Sequence, residues 1–142
     1  MEHLAGKRVA ITGTTGFLGT ALVERLLRTV PDIELVLLVR PGRRGAARRV
    51  ERDILRNDAF DRLRQEHGDD FDTAVAGRVT AIAGDVSVDG LGLDDEARAH
   101  LAQCDTVIHS AAAVSFDSPL DQAVEINLLG PVRIAEMLTE LG

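Results

Sequence analysis

Three glycines, Gly13, Gly16 and Gly19, punctuate the run T-G-T-T-G-F-L-G from Thr12 to Gly19, and no other residues of the sequence have so clear a chemical use. Glycine allows a tight chain reversal, lets backbone N–H groups approach a diphosphate, and lets a helix press on the strand before it. A helix opening near Phe17 turns its unpaired N–H groups and positive dipole end toward such an anion. The candidate ligand contacts here are Gly13, Thr15, Gly16, Phe17, Leu18 and Gly19. The spacing is GxxGxxG, not GxGxxG, and no Gly-Lys-Ser/Thr follows, which disfavours a nucleoside triphosphatase. A Gly-rich turn can be purely structural, but a strand before it and a helix after it favour a dinucleotide site.

Four further places carry polar chemistry. Arg40 follows the apolar run Leu35 to Val39, where NAD-specific folds place an acid for the ribose hydroxyls and an arginine accommodates the 2′-phosphate of NADP. Asp32 and Glu34 lie at the other end of that run, so the pattern favours NADPH, with Arg49 as a second phosphate ligand. Asp85 and Val86 end a strand and are placed to meet an adenine, the alternative being a turn acid satisfied by local N–H groups. Ala111 and Ala112 follow His109-Ser110 and let a ligand lie against the backbone, although tight helix packing also selects such small residues. Asn127 is an amide in the middle of an apolar helical stripe and needs a defined partner.

These residues require elements to hold them. Arg8 to Ile11 and Leu35 to Val39 read as buried parallel strands, Arg78 to Ala83, which alternates and is β-branched, as a third strand, and Thr106 to His109 as a fourth. Between the first two lies a helix with Phe17, Leu18, Ala21, Leu22 and Leu26 as its apolar side, closed by Pro31, which makes a right-handed βαβ unit. Asn57 to His67 reads as helix broken by Gly68-Asp69-Asp70, with His67 only a last-turn residue, and Val88 to Leu93 as loop. Asp94 caps a short helix to about Ala102. Ser118 caps the last helix with Pro119 in its first turn; Leu120, Val124, Asn127, Pro131, Ile134 and Leu138 form its buried stripe, and Pro131 kinks it. The expected fold class is α/β: the N-terminal part of a Rossmann-like doubly wound parallel sheet, order 3-2-1-4, in one domain spanning 1–142.

Composition sets the outer bounds. A net charge of −7 argues against general nucleic-acid binding, and the apolar runs are too short to cross a bilayer. Arg40 to Arg64 nonetheless concentrates nine of the sixteen basic residues against four acids, most of them readable as a solvated helix face. Met1 to Gly6 lacks the pattern of a secretory signal, and the lone Cys104 cannot pair internally, so a reducing cytoplasm is expected. Cys104 reads as a small buried residue and His109 as a hydrogen-bonded structural one. No metal site is expected, because no second His or Cys stands at ligand spacing.

Several of these segments together resemble the fatty acyl-CoA reductases of the extended short-chain dehydrogenase/reductase superfamily: T-G-T-T-G-F-L-G, L-L-V-R-P at Leu37 to Pro41, F-D-R-L-R at Phe60 to Arg64, G-D-V-S at Gly84 to Ser87, L-G-L at Leu91 to Leu93, H-S-A-A-x-V-x-F-D from His109 to Asp117 and E-I-N-L-L-G at Glu125 to Gly130. Pro131 departs from the Thr expected after the last of these. The resemblance implies NADPH delivering hydride to a long-chain acyl-CoA thioester, giving an aldehyde and then usually an alcohol, with Asn127 in the catalytic set. The family's proton donor is a Tyr paired with a Lys beside a Ser or Thr; this sequence has no Tyr, and its one lysine, Lys7, precedes the Gly-rich turn. The expectation is therefore the cofactor half of an oxidoreductase of lipid metabolism, cut before the Tyr/Lys segment and inactive alone. Any peripheral membrane contact would lie in the missing parts, and the open strand-4 edge invites self-association. Two alternatives remain: a thioester reductase domain acting on a carrier protein, and a non-catalytic NADP-binding module.

Overall fold

A computed structural model describes residues 2–115 and 117–142; Phe116, within the H-S-A-A-x-V-x-F-D run, lies outside them, as does Met1. Strands β1 (Arg8–Thr12), β2 (Glu34–Val39), β3 (Val79–Ala83) and β4 (Thr106–His109) form one parallel sheet in the order β3-β2-β1-β4, as the sequence leads one to expect. Register pairs Ile11 with Leu37 on one side and with Ile108 on the other. The central strands β1 and β2 are short apolar runs because both faces are covered, whereas the edge strands β3 and β4 are largely half-buried. Successive side chains of a strand point to opposite faces, and the two cores divide accordingly. Val9, Ile11, Leu35, Leu37 and Val39 pack with helix α1 (Phe17–Thr29), α2 (Gly45–Val50) with its continuation Glu51–Leu55, and α3 (Asp61–His67). Ala10, Val36, Leu38 and Ile82 pack on the other side with α5 (Asp95–Ala102) and the final helix; between α3 and β3 lies the single turn α4 (Phe71–Ala74).

Two helical faces differ from the sequence expectation. On α1 the buried residues are Gly19, Thr20, Val23, Leu26 and Leu27, whereas Phe17 is 96% and Leu18 69% exposed and Ala21 is exposed as well. The first turn projects past the carboxyl edge of the sheet, so nothing of the core reaches it. The last helix runs as α6 (Leu120–Val124), a π turn over Glu125–Leu129, and α7 (Gly130–Leu141). That wide turn stands immediately before Pro131, which sits in the first turn of α7 and has no N–H to give. The extra residue of a π turn rotates α7 relative to α6, so the expected stripe does not stay on one face. Of that stripe Ile134 is buried, while Leu120 is 80% exposed, Asn127, Pro131 and Leu138 are exposed, and the inward side of α7 is Gly130, Ile134 and Met137. Pro119, not Ser118, occupies the N-cap, without a side-chain bond.

Caps elsewhere follow the sequence. Asp94 accepts the Ala97 N–H at 2.8 Å, and Asn57 accepts the Ala59 N–H at 3.0 Å at the start of a short 3-10 turn leading into α3. Gly68, at φ +53°, ends α3. Arg78 closes α1 from a distance: its guanidinium donates to the carbonyls of Leu27 at 2.6 Å and Val30 at 3.5 Å, and to Ala74 at 2.9 Å. Cys104 is half-buried and its thiol pKa is pushed up by that burial, consistent with a packing residue. Among the described residues no helix is long and apolar enough to cross a membrane, and no group of acids, histidines and cysteine is arranged to hold a metal.

Candidate dinucleotide site

The carboxyl ends of β1, β2, β3 and β4 open onto one cleft of about 610 Å³. Its floor is the turn after β1. Gly13 has φ +72°, a conformation open to glycine at little cost, and a Cβ there would lie 2.5 Å from the backbone of Ser110 and Ala111. At Gly19 a Cβ would overlap the carbonyl oxygen of Gly13 and come within 2.7 Å of the Thr14 Cα, so the helix can approach the strand only as glycine. The Gly16 N–H donates to Gly13 O at 3.1 Å, and the Thr20 hydroxyl donates to Thr14 O at 2.9 Å, fixing the loop from both sides. Gly16 is the N-cap of α1; no side chain caps it and no acid stands in the first turn. The free N–H groups and the dipole of that end are left for an external anion. Thr14 is fully buried with its Oγ1 unpartnered among the described residues.

All twelve residues expected at the cofactor line this one cleft: Gly13, Thr15, Gly16, Phe17, Leu18, Gly19, Arg40, Arg49, Asp85, Val86, Ala111 and Ala112. Arg40 is exposed at the end of β2, and Arg49 reaches back from α2 to donate to the Arg40 carbonyl at 2.7 Å, so both residues line the same end of the cleft. Asp85 behaves in part as a turn acid, its Oδ1 accepting from the Ser87 N–H at 2.9 Å and the Ser87 hydroxyl at 2.7 Å. Its own N–H donates at 2.8 Å to Leu91 O, and buried Leu91 holds a left-handed φ of 56° that a side chain adopts only at a cost of about 1–3 kcal/mol. The strained Leu91 and the Ser87 bonds together pin the loop that carries Asp85.

Asn127 does not line the cleft. Its amide donates to Ala113 O at 2.9 Å and accepts from Ala113 N at 2.8 Å, so it has the defined partner expected of it, though as an exposed residue. It holds the chain just past Ala111 and Ala112. Arg133 in turn steadies the π turn that bears Asn127, donating to Glu125 O at 3.2 Å, to its carboxylate at 2.7 Å and to Asp89 at 3.0 Å.

Thr12 was not among the expected site residues, yet its hydroxyl joins the two central strands. It accepts the N–H groups of Ser110 and Ala111, each at 3.3 Å, so its single proton is directed at Nδ1 of His109, 2.7 Å away. That arrangement keeps His109 neutral with its proton on Nε2, and burial likewise lowers its pKa below the ordinary histidine value. His109 is thus the structural histidine that the sequence implies. Ser110 adds a bond from its hydroxyl to Thr12 O at 3.0 Å. Thr14, Val114 and Ile126 also line the cleft unforeseen. The signal for Thr12 and Thr14 lay in the motif, where two hydroxyl residues flank Gly13, but their partners are known only once β1 and β4 are side by side.

Comparison with known proteins agrees with this geometry. The NAD-binding family model described as male sterility protein matches residues 11–142. "Fatty acyl-CoA reductase 1" of Gallus gallus is 35% identical over 147 aligned residues, which cover 99% of this chain and 27% of that protein. "Fatty acyl-CoA reductase 2, chloroplastic" of Arabidopsis thaliana is 32% identical over 134 residues, 92% of this chain and 22% of that one. The chain therefore spans about a quarter of the length of these relatives. Among solved structures, the terminal R domain of the myxalamid PKS-NRPS biosynthetic pathway superposes with a TM-score of 0.73 at 28% identity, over 96% of this chain and 32% of the other.

Proposed function

This chain belongs to the male sterility protein family of NAD-binding domains, and on that footing we propose that it is the NADPH-holding portion of a fatty acyl-CoA reductase. The observation that carries the cofactor choice is the pair Arg40 and Arg49 at the β2 end of the cleft, where the only lining acid among the described residues, Asp85, belongs to the loop after β3. Two guanidiniums beside a ribose suit a 2′-phosphate, whose two charges a ribose-binding acid would repel. The residues present fit the remainder of the nucleotide too. The uncapped N-terminus of α1 would hold the diphosphate, for which the glycines leave room, and Val86 with the fixed Asp85 loop would hold the adenine.

NADPH supplies hydride, here to the thioester carbonyl of a long-chain acyl-CoA, and the products are a fatty aldehyde and, after a second transfer, an alcohol. The chain's own residues bind and orient. Ala111 and Ala112 give the wall against which the cofactor lies, Thr12 fixes that wall to β1, and Asn127 fixes its far end through Ala113. Asn127 enters the reaction by ordering this segment. A neutral amide supplies no proton to a developing alkoxide, so we expect no turnover from these 142 residues alone. The lone cysteine suits a reducing compartment, and we place the protein in the cytoplasm.

Titration of the chain with NADPH and NADH, followed by nucleotide fluorescence, tests the cofactor assignment. NADPH is expected to bind at least about tenfold tighter, and Arg40→Ala to remove most of that difference. Equal affinities, or an Arg40→Ala variant with unchanged preference, would overturn it. The likeness to an R domain favours a second reading, reduction of thioesters held on a carrier protein. The full-length protein assayed with free acyl-CoA decides between the two, since exclusive use of carrier-bound thioesters would exclude the first.

A further inference from the structure

Five arginines that the cofactor cleft does not use are gathered around a second hollow. The β-turn Gly42 to Gly45, closed by Gly45 N–H on Gly42 O at 3.0 Å, raises Arg43 and Arg44 at one rim, and the helix after it brings Arg48, Arg49, Arg52 and Arg56 to the other. Glu51 is the single carboxylate in the lining of this cavity of about 560 Å³. Internal pairing leaves a surplus. Glu51 serves Arg48 at 2.8 Å and Arg56 at 2.6 Å together, and Asp53 serves both Arg49 and Arg52. Arg43 and Arg44 have no ion-pair partner among the described residues. In a protein of net charge −7, six arginines line one concavity, with Arg48, Arg52 and Arg56 69%, 75% and 72% exposed, so the hollow is reached from solvent and its cations are open to an incoming anion. Like charges gathered on one surface repel, and a multivalent anion bound among them relieves that repulsion. Only Arg49 belongs to both hollows; Arg43, Arg44, Arg48, Arg52 and Arg56 lie outside the cofactor cleft.

We propose that this arginine hollow is a second anion site that takes a compact polyphosphate, free or carried on a nucleotide, and that its occupant weakens NADPH binding through the shared Arg49. The concavity favours a small multivalent anion over a flat charged surface, and guanidinium forks match phosphate oxygens in pairs. The effect on NADPH rests on the cofactor assignment above; binding of the polyphosphate does not.

Calorimetric titration of the chain, without cofactor, with inorganic tripolyphosphate, ATP and orthophosphate tests the site. One equivalent of tripolyphosphate is expected to bind, with orthophosphate at least about tenfold weaker; equal binding of ATP assigns recognition to the phosphates, and tighter ATP binding assigns it to a nucleotide. The double variant Arg43→Ser/Arg44→Ser removes two exposed, unpaired side chains, so it should keep the melting temperature and NADH affinity while losing about tenfold in tripolyphosphate affinity. The site is refuted if that variant binds tripolyphosphate as the parent does, if Arg40→Ala alone abolishes binding, or if phosphatidylserine vesicles bind where tripolyphosphate does not. Should NADPH prove no tighter than NADH, the cofactor assignment falls, and the cofactor-free titration still decides this one.

Discussion

Replacing Gly19 by alanine isolates the contact on which the floor of the cofactor cleft depends. Gly19 lies in α1 with no left-handed φ, so the substitution brings no backbone strain, and alanine is favoured over glycine inside a helix by about 1 kcal/mol. Against this, the new methyl would overlap Gly13 O and crowd Gly13 C and Thr14 Cα, each at 2.7 Å. Every one of these atoms is backbone, in a loop tied down by Thr20 and by the Gly16 N–H, so no flexible side chain can yield. Overpacking costs about 1–3 kcal/mol, here at the upper end, which leaves a net loss of about 2 kcal/mol. The entropy of unfolding for a chain of this length is about 0.3 kcal/mol per kelvin, so Tm should fall by about 7 °C. Thermal unfolding followed by circular dichroism measures it, and nucleotide titration should show affinity lower by about tenfold, because helix and turn separate. Gly77→Ala is the control: its nearest neighbour would be Asp72 O at 3.4 Å, an ordinary contact, and it should melt within about 2 °C of the parent or above it. A Gly19→Ala variant that melts and binds like the parent would refute the steric reasoning.

Arg78→Met should cost about 2–3 kcal/mol in urea unfolding, since it leaves the carbonyls of Leu27 and Ala74 without their donor; an unchanged midpoint would show that water replaces the guanidinium. Burial lowers the pKa of His109, so the unfolded chain binds a proton where the folded one does not; this contribution is complete above about 6.5 and is lost as pH falls through the folded value. Urea midpoints should therefore drop between about pH 7.5 and about pH 5, and His109→Gln should flatten that drop; a variant with the parent's slope would assign it to other groups. Asn127→Ala removes both bonds to Ala113 at an exposed site, and should lower stability by only about 1 kcal/mol while the Ala113 amide exchanges hydrogen markedly faster; undisturbed exchange would mean that the segment is held from elsewhere.

The central strands were legible because a parallel strand covered on both faces must be an apolar run, and Leu35 to Val39 admits little else; the half-buried edge strand Thr106 to His109 leaves a weaker mark. The cofactor turn was legible for a similar reason: glycine positions are dictated by backbone approach, which leaves a mark at fixed spacing. Helical faces were not, because periodicity reports an apolar side without saying how far the core extends along it. Phe17 and Leu18 belong to the apolar side of α1 but stand beyond the edge of the sheet. In the last helix a single extra residue at Glu125–Leu129 defeats a count that assumes uniform turns, even though Pro131 announces a fault at that place. Thr12 is the sharpest case: its partners His109, Ser110 and Ala111 stand almost the whole chain away, and its role exists only through the register of β1 against β4.

The two walls of the cleft are held in different ways, and this bears on how each end of a dinucleotide is gripped. The glycine turn is fixed by bonds within eight residues of sequence, Gly16 to Gly13 and Thr20 to Thr14, so it forms as soon as α1 docks on β1. The opposite wall, Ser110 to Ala113, has no regular structure of its own. It depends on Thr12 at its beginning and on Asn127 at its end. Asn127 is in turn placed by a π turn whose Glu125 carbonyl and carboxylate both rest on Arg133, itself anchored to Asp89 in the loop after β3. Disturbance of the final helix therefore reaches the Ala111 side of the cleft through a chain of side-chain bonds. The glycine-turn end of the cleft is held largely within β1 and α1, whereas the Ala111 wall depends on side chains from separate segments and is the part that packing elsewhere can tighten or release.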